Sequence, residues 1–312
     1  MTDRADEKLS ATLAARYLDA DAWIADVGLE GGADASLGGN SAAATPAAPA
    51  TPAAYGEAGR VPEVWRTLAG RGSVRDFGSR PVPHELIDII AAVAFSAPSK
   101  SDLQQRDLIH VSDPARKRAL LDLVADQAWT ADVPELLVIC GNNARQRALH
   151  ERTGHPFAND HLDAFFNAAV DAGILLAAFM VAAEAAGLGC CPISALRNQS
   201  DTVARLLGLP KHVFPVAGLA LGWPAKSAAQ TPRLPLAVTY HRDRYDSGAF
   251  DAHIKAYDEQ RAALRTTTVQ RDTARFGTAA VYGWGEDKAR QYAMAERADF
   301  GAFIRARGFR LA

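Results

Sequence analysis

The chain has 312 residues, 48% of them hydrophobic, and a formal net charge of −2. That length and apolar content suffice for a sizeable core in one large domain, and the near-neutral charge gives no general electrostatic drive towards nucleic acid or an anionic membrane. Three cysteines, Cys140, Cys190 and Cys191, make no disulfide framework, and no signal peptide is recognised, so a reducing, cytoplasmic setting is expected.

Residues 6–24 carry a short amphipathic pattern, with Leu9, Leu13 and Tyr17 four apart. It is too short to fold alone, so it docks on the main body or frays. Residues 28–59 are low-complexity Gly, Ala, Pro, Ser and Thr, which cannot offset their ordering entropy and read as a flexible tether. The globular body starts near Arg60. A brief helix near Pro62–Ala69 precedes the stretch Gly70–Phe77, and Pro83 opens a helix to about Phe95. The polar loop Ser96–Leu103 leads into a strand at Asp107–Val111. Asp113-Pro114 starts another helix to about Ala125, and Glu135–Cys140 reads as a buried strand.

A long helix follows, from Asp160 to Ala186, with Gly187 and Gly189 as its C-cap residues. Asp163, Asn167 and Asp171 share one stripe of it, read as a wet or functional face. From Ala172 to Ala183 no residue is polar, so the segment is expected to be buried all round, in a core or a subunit interface. Asp171 and Glu184 bracket the run and leave too little for a span of about 20 residues. Cys190–Ile193 is a short strand whose adjacent cysteines read as small apolar residues. A short helix at Thr202–Leu207 stops at Gly208, and Val213–Leu221 is a buried strand despite Pro215. The tail holds two helical patterns, about Phe250–Arg265 and Asp287–Arg307. The second has apolar residues but few partners of its own, as in tails that wrap another subunit.

Arg71, Ser73 and Arg75 lie within one short turn of chain, and two guanidiniums with a hydroxyl suit a phosphate. Ser99, Lys100 and Ser101 add hydroxyls and an amine suited to phosphate or ribityl oxygens. Gly187-Leu188-Gly189 is no dinucleotide fingerprint, because it follows a helix and lacks the third glycine. His150, His155 and His161 lack zinc-ligand spacing, and no metal is expected. No nucleophile elbow or Walker sequence is present.

Taken in order, these pieces resemble the nitroreductase superfamily. Arg71-x-Ser73-x-Arg75-x-Phe77 and Ala97-Pro98-Ser99-x-x-Asp102-x-Gln104 look like its two amino-terminal signatures. Gly187-Leu188-Gly189, Leu196-Arg197-Asn198, Leu207-Gly208-Leu209-Pro210 and Leu221-Gly222-Trp223-Pro224 are similar to the NADPH-dependent nitroreductase and flavin reductase branch. So are Pro232-Arg233-Leu234-Pro235, Tyr257-Asp258-Glu259-Gln260 and Arg271-Asp272-Thr273. The likeness covers about residues 61–310.

The resemblance implies an α+β nitroreductase-like fold, a central mostly antiparallel sheet flanked by helices. It implies a homodimer with a long central interface helix and a swapped carboxy-terminal arm. Three regions are expected: an amino-terminal helix and tether over 1–59, an FMN-binding core over 60–245, and a helical extension over 246–312 that embraces the partner. Carried over by position, Arg71, Ser73 and Arg75 meet the FMN phosphate and ring edge, and Ser99, Lys100 and Ser101 follow the ribityl chain and phosphate. Gln127 contacts the flavin pyrimidine, the backbone of Ile193, Ser194 and Ala195 lies beside flavin N5, and Arg233 binds phosphate. Arg265 and Arg271 are assigned to the NADPH 2′-phosphate. Gly72 and Asp102 belong to the same contact set but depart from the pattern, standing where an arginine and an asparagine are usual. Thr231 replaces a lysine, Ser194-Ala195 a Gly-Gly pair, and Pro192 a position often aromatic.

The function implied is reduction of nitroaromatics, quinones or free flavin by ping-pong hydride transfer from NADPH through FMN, with no essential catalytic side chain. The partners implied are small-molecule substrates and a second copy of the chain, with no nucleic acid and no membrane. Because the departures cluster on the cofactor site, a non-catalytic flavin-binding homologue, or a reductase of a specialised substrate, stays open as an alternative.

Overall fold

The computed structural model describes residues 11–13, 17, 62–264 and 269–312. The tether over 28–59, most of the amphipathic stretch before it, and Arg265 lie outside the described residues. Contacts divide the chain into two compact units. The sheet unit comprises residues 72–229 and 296–312, and the helical unit comprises the described part of 1–71 with 230–295.

In the sheet unit the elements run in chain order as α2 (His84–Phe95), β1 (Arg106–His110), α3 (Pro114–Asp122), β2 (Glu135–Asn142), α4 (Ala144–Thr153), α5 (Leu162–Ala185), β3 (Gly189–Ile193), α6 (Ser200–Leu206), β4 (Val213–Gly222) and α11 (Phe300–Ala306). The helical unit holds α1 (Glu63–Gly70), α7 (Leu236–Thr239), α8 (Phe250–Leu264), α9 (Thr273–Phe276) and α10 (Trp284–Tyr292).

The four strands form one antiparallel sheet in the order β1-β2-β4-β3. β2 and β4 read as unbroken apolar runs because both faces of the sheet are covered. Leu136, Val138 and Cys140 enter one core with α3, α6 and α11, and Leu137 and Ile139 enter the other with α2 and α5. Pro215 is tolerated in the central strand β4 because the register shifts there. Ile139 pairs with Ala217 and Cys140 with Pro215, so Val216 is bulged out. Pro192 sits on β3, an edge strand with no strand beyond it, where a missing N–H need not break the ladder. Cys190 and Cys191 point to opposite faces, one into each core. They cannot act as a dithiol pair, in agreement with their reading as strand residues.

α5 is the element that positions the site. His161 caps its start, its ring nitrogen accepting from the Asp163 N–H at 3.4 Å. Its first half packs Ala164 and Ala168 on one core and its second half packs Leu175, Phe179 and Ala183 on the other. Gly187 takes the left-handed conformation just past the helix, whereas Gly189 opens β3 and is no cap. By length and composition α5 could cross a membrane, with a mean hydropathy of 1.9, but it packs across the sheet beside α2. The run 172–183 is not buried all round within one chain. Gly173 and Ala177 are exposed, and with Leu162, Phe166 and Val170 they leave a strip of α5 uncovered.

Two further expectations change. α4 was not among the expected elements, because it has no apolar periodicity and no buried residue. The single tail pattern over Asp287–Arg307 is two helices, α10 and α11, with Arg297 in the left-handed region between them. Phe303, Ile304 and Phe309 do have partners, because they are buried in the sheet unit's own core.

Candidate functional site

The loop 96–105 is an irregular segment of the sheet unit held in a strained conformation. Ser101, Asp102 and Gln104 all adopt positive φ, of 49°, 57° and 52°. Non-glycine residues resist this region, so neighbouring structure must hold them there. Three elements do so. From α5, Asp171, which is 0% exposed, accepts the backbone N–H of Lys100 at 3.0 Å and of Gln105 at 2.9 Å. From β1, the buried Arg106 guanidinium donates to the carbonyls of Phe95, Ala97 and Pro98. Its Nε is buried with no hydrogen-bond partner. From α4, Arg145 donates to the carbonyls of Gln104 and Arg106, and Gln146 to that of Leu103.

With its backbone tied down from beneath, the loop exposes Lys100, Ser101 and Asp102 and leaves Ser99 half-buried. The Ser99 hydroxyl accepts from the Gln104 N–H at 3.1 Å, and the Asp102 carboxylate accepts from Gln104 Nε2 at 3.0 Å. Asp171 was read as part of a wet stripe. It is instead a buried brace, and only Asp163 and Asn167, bonded to each other at 2.7 Å, match that reading.

Gly72, Ser73 and Arg75 enter the same unit. Val74 is anchored by its N–H to the Cys190 carbonyl at 3.0 Å, which places the flanking residues beside the start of β3. A Cβ at Gly72 would lie 2.7 Å from the Ala229 carbonyl oxygen and 2.8 Å from the Ala228 Cβ. The absence of an arginine there therefore has a steric cause, the close approach of residues 228–229. Arg75 lies over the Trp129 ring, 5.8 Å from its centroid. Trp129 belongs to the turn whose first residue is Gln127, so Arg75 and that turn come together, with Gln127 half-buried. Ile193 is buried at the end of β3, where Ser194 is exposed and Ala195 half-buried in the following turn.

In the helical unit, Arg71 and Arg233 line one cavity of about 460 Å³ with Leu13, Tyr17, Trp65 and Leu68. Two guanidiniums on one cavity match the chemistry needed to hold a phosphate dianion. Tyr17, from the amphipathic amino-terminal stretch, forms a backbone bridge with Arg233, so at this point that stretch docks. Arg271 lines a second cavity, of about 630 Å³, with Arg261, Tyr282, Trp284 and Lys288. Its Nε donates to Asp287 at 2.8 Å.

All three thiols are buried. Burial pushes Cys140 up to about 12, with the Asp107 charge adding to the effect.

Both parts of the chain are similar to known proteins. The model of the nitroreductase family matches residues 68–223, and that of the nitroreductase family C-terminal domain matches residues 231–312. A Bacillus subtilis protein named as an FMN reductase using NAD(P)H is 38% identical over 202 residues, covering 64% of this chain and 81% of that one. The oxygen-insensitive NADPH nitroreductase of Salmonella typhimurium is 35% identical over 210 residues, covering 66% of this chain and 85% of that one. Among solved structures, NfrA2 of B. megaterium superposes with a TM-score of 0.73 at 32% identity, covering 81% of this chain and 100% of that one.

Proposed function

The chain belongs to the nitroreductase family, and we infer that it is an FMN-dependent oxidoreductase drawing its electrons from NADPH. The observation that carries this reading is the similarity, over about two thirds of the chain, to reductases named for FMN and NADPH. FMN, when bound, supplies two-electron chemistry, taking a hydride from the nicotinamide and passing reducing power to a second small molecule.

The residues present fit that cofactor. Arg71 and Arg233, which share a cavity, are assigned to the phosphate. Ser99, Lys100 and Ser101 present hydroxyl and amine donors to the ribityl chain and phosphate from a loop that cannot relax. Gly72, Ser73, Arg75, Asp102 and Gln127 complete the polar contacts. The backbone of Ile193, Ser194 and Ala195 is assigned to the edge of the ring system, where an N–H donor stabilises charge. Arg271, with Arg261 and Lys288, offers positive charge to the NADPH phosphates. No side chain is assigned a nucleophilic or general-acid role.

The assembly proposed is a cytoplasmic homodimer without nucleic-acid or membrane partners. The exposed apolar residues of α2 and α5 support it. Ile89 is 62% exposed and Phe166 59% exposed, and both lie on helices packed against each other. The helical extension, expected over 246–312, is proposed to embrace the partner with residues 246–295, since 296–312 belong to the sheet unit. Of the region 1–59, expected to stand apart, Leu13 and Tyr17 line the cavity proposed for the phosphate.

The test is the absorption spectrum of the purified protein before and after anaerobic NADPH. A flavin spectrum that bleaches is the expected result. A flavin spectrum that persists would mean a binding protein, and a colourless protein that cannot be reconstituted would overturn the assignment.

A further inference from the structure

His84, His110 and Glu135 come from three separate elements of the sheet unit. His84 is the first residue of α2, His110 the last of β1, and Glu135 the first of β2. His110 Nε2 and Glu135 Oε2 lie 2.8 Å apart, with side chains 20% and 17% exposed. The His84 ring meets the His110 ring edge-on, 5.1 Å between centroids and 86° between planes. One ligand atom from each of the three falls within 4.8 Å of the other two.

We propose that His84, His110 and Glu135 form a binding site for a divalent cation of the zinc class. Two imidazole nitrogens and one carboxylate oxygen suit a borderline cation, and water completes a four-coordinate shell. Ligands about 2.0–2.2 Å from a central ion need only modest side-chain rotation from this spacing. Two ligands sit on adjacent strands, so the carboxylate–imidazole pair is already organised, and His84 closes the set from the solvent side. Glu135 also lines a cavity of about 690 Å³. Lys117 and Arg118 share that cavity, and the Lys117 ammonium donates to the Pro134 carbonyl at 2.6 Å. Selection against calcium comes from the two imidazole nitrogens, since that ion takes about six to eight oxygen ligands.

The bound ion would pin the start of α2 to the sheet. The far end of α2 leads directly into the loop 96–105, so the site stabilises the frame of that loop without touching it. The proposal does not depend on the redox assignment.

Calorimetric titration of the untagged full chain with zinc chloride tests it, with thermal unfolding alongside. One ion per chain and a raised Tm are expected. His84→Asn, a change on an exposed residue, and Glu135→Gln should each weaken binding at least about tenfold and abolish the rise in Tm, while His150→Asn changes neither. Cobalt in place of zinc should give visible bands lost in the same variants. Absence of saturable binding, or binding indifferent to His84→Asn, overturns the site.

Discussion

Asp171, at the middle of the longest helix, accepts the backbone N–H of Lys100 at 3.0 Å from a position with no solvent exposure. A buried carboxylate is costly unless fully bonded, and here its second oxygen takes the Gln105 N–H at 2.9 Å. The helix thereby sets the loop whose side chains are assigned to the flavin. Asp171→Ala strands two amides, at about 1–3 kcal/mol each, and should weaken FMN at least about tenfold. Asp171→Asn keeps one acceptor and should fall between. Denaturant unfolding and FMN titration measure both effects, and unchanged values in the alanine variant would falsify the brace.

Adding a cation at residue 72 should not tighten FMN. Gly72→Ala and Gly72→Arg carry the same Cβ into the Ala229 carbonyl and the Ala228 side chain. Overpacking of this kind costs about 1–3 kcal/mol. Both variants should lose stability, and the arginine variant should bind FMN no better than the native chain. Tighter binding in a titration would mean that residues 228–229 yield.

The uncovered strip of α5 gives a prediction about assembly. Leu162, Phe166 and Val170 recur every four residues, and Ile89 and Val93 stand exposed on the neighbouring α2. Obligate interfaces commonly exceed about 2,000 Å² in total, so Phe166→Glu should convert a dimer to monomer or aggregate in light scattering. A native chain that scatters as a monomer with full secondary structure would refute the dimer itself.

Stability should fall in two separate steps on acidification. Desolvation, then the nearby Arg147 charge, hold His212 below its ordinary value of 6.5, against the Gly308 carbonyl and Asp160, which favour its proton. The unfolded chain then takes up the proton first. This contribution is complete above 6.5 and is lost as pH falls through the folded value. For Asp160 the Arg147 hydrogen bond holds the carboxyl below 3.8 despite its burial, with Arg310 assisting at 3.1 Å. That contribution is present above 3.8 and is lost as pH drops through the folded value. His212→Asn should remove the first step, since asparagine also tolerates the φ of 62° found there. Asp160→Asn should remove the second. Denaturant midpoints across pH decide, and two unaltered steps would count against these assignments.

The same corner fixes the chain's end. Gly308 has a φ of 95°, and a Cβ there would lie 2.6 Å from His212 Nε2. Gly308→Ala should therefore cost at least about 1–2 kcal/mol, read as a lower Tm.

Sequence alone determined what depends on local pattern. Continuous apolar runs announced β2 and β4, because a strand buried on both faces has no polar period to display, and the apolar run 172–183 announced α5. The order of the short motifs around Arg71, Ser73, Arg75, Ser99 and Arg233 announced the family, because the set is specific where no single motif is. Tertiary structure alone decided what depends on approach between distant residues. Asp171 looked like one member of a polar stripe until the loop 96–105 was found folded onto it. Gly72 looked like a lost arginine until residues 228–229 were found against it. Cys190 and Cys191, neighbours in the chain, were separated by the pleat of β3. His84, His110 and Glu135, with no spacing to connect them, were gathered by the pairing of β1 with β2 and the packing of α2. Periodicity reports which way a side chain points, and only the closed fold determines what it meets there.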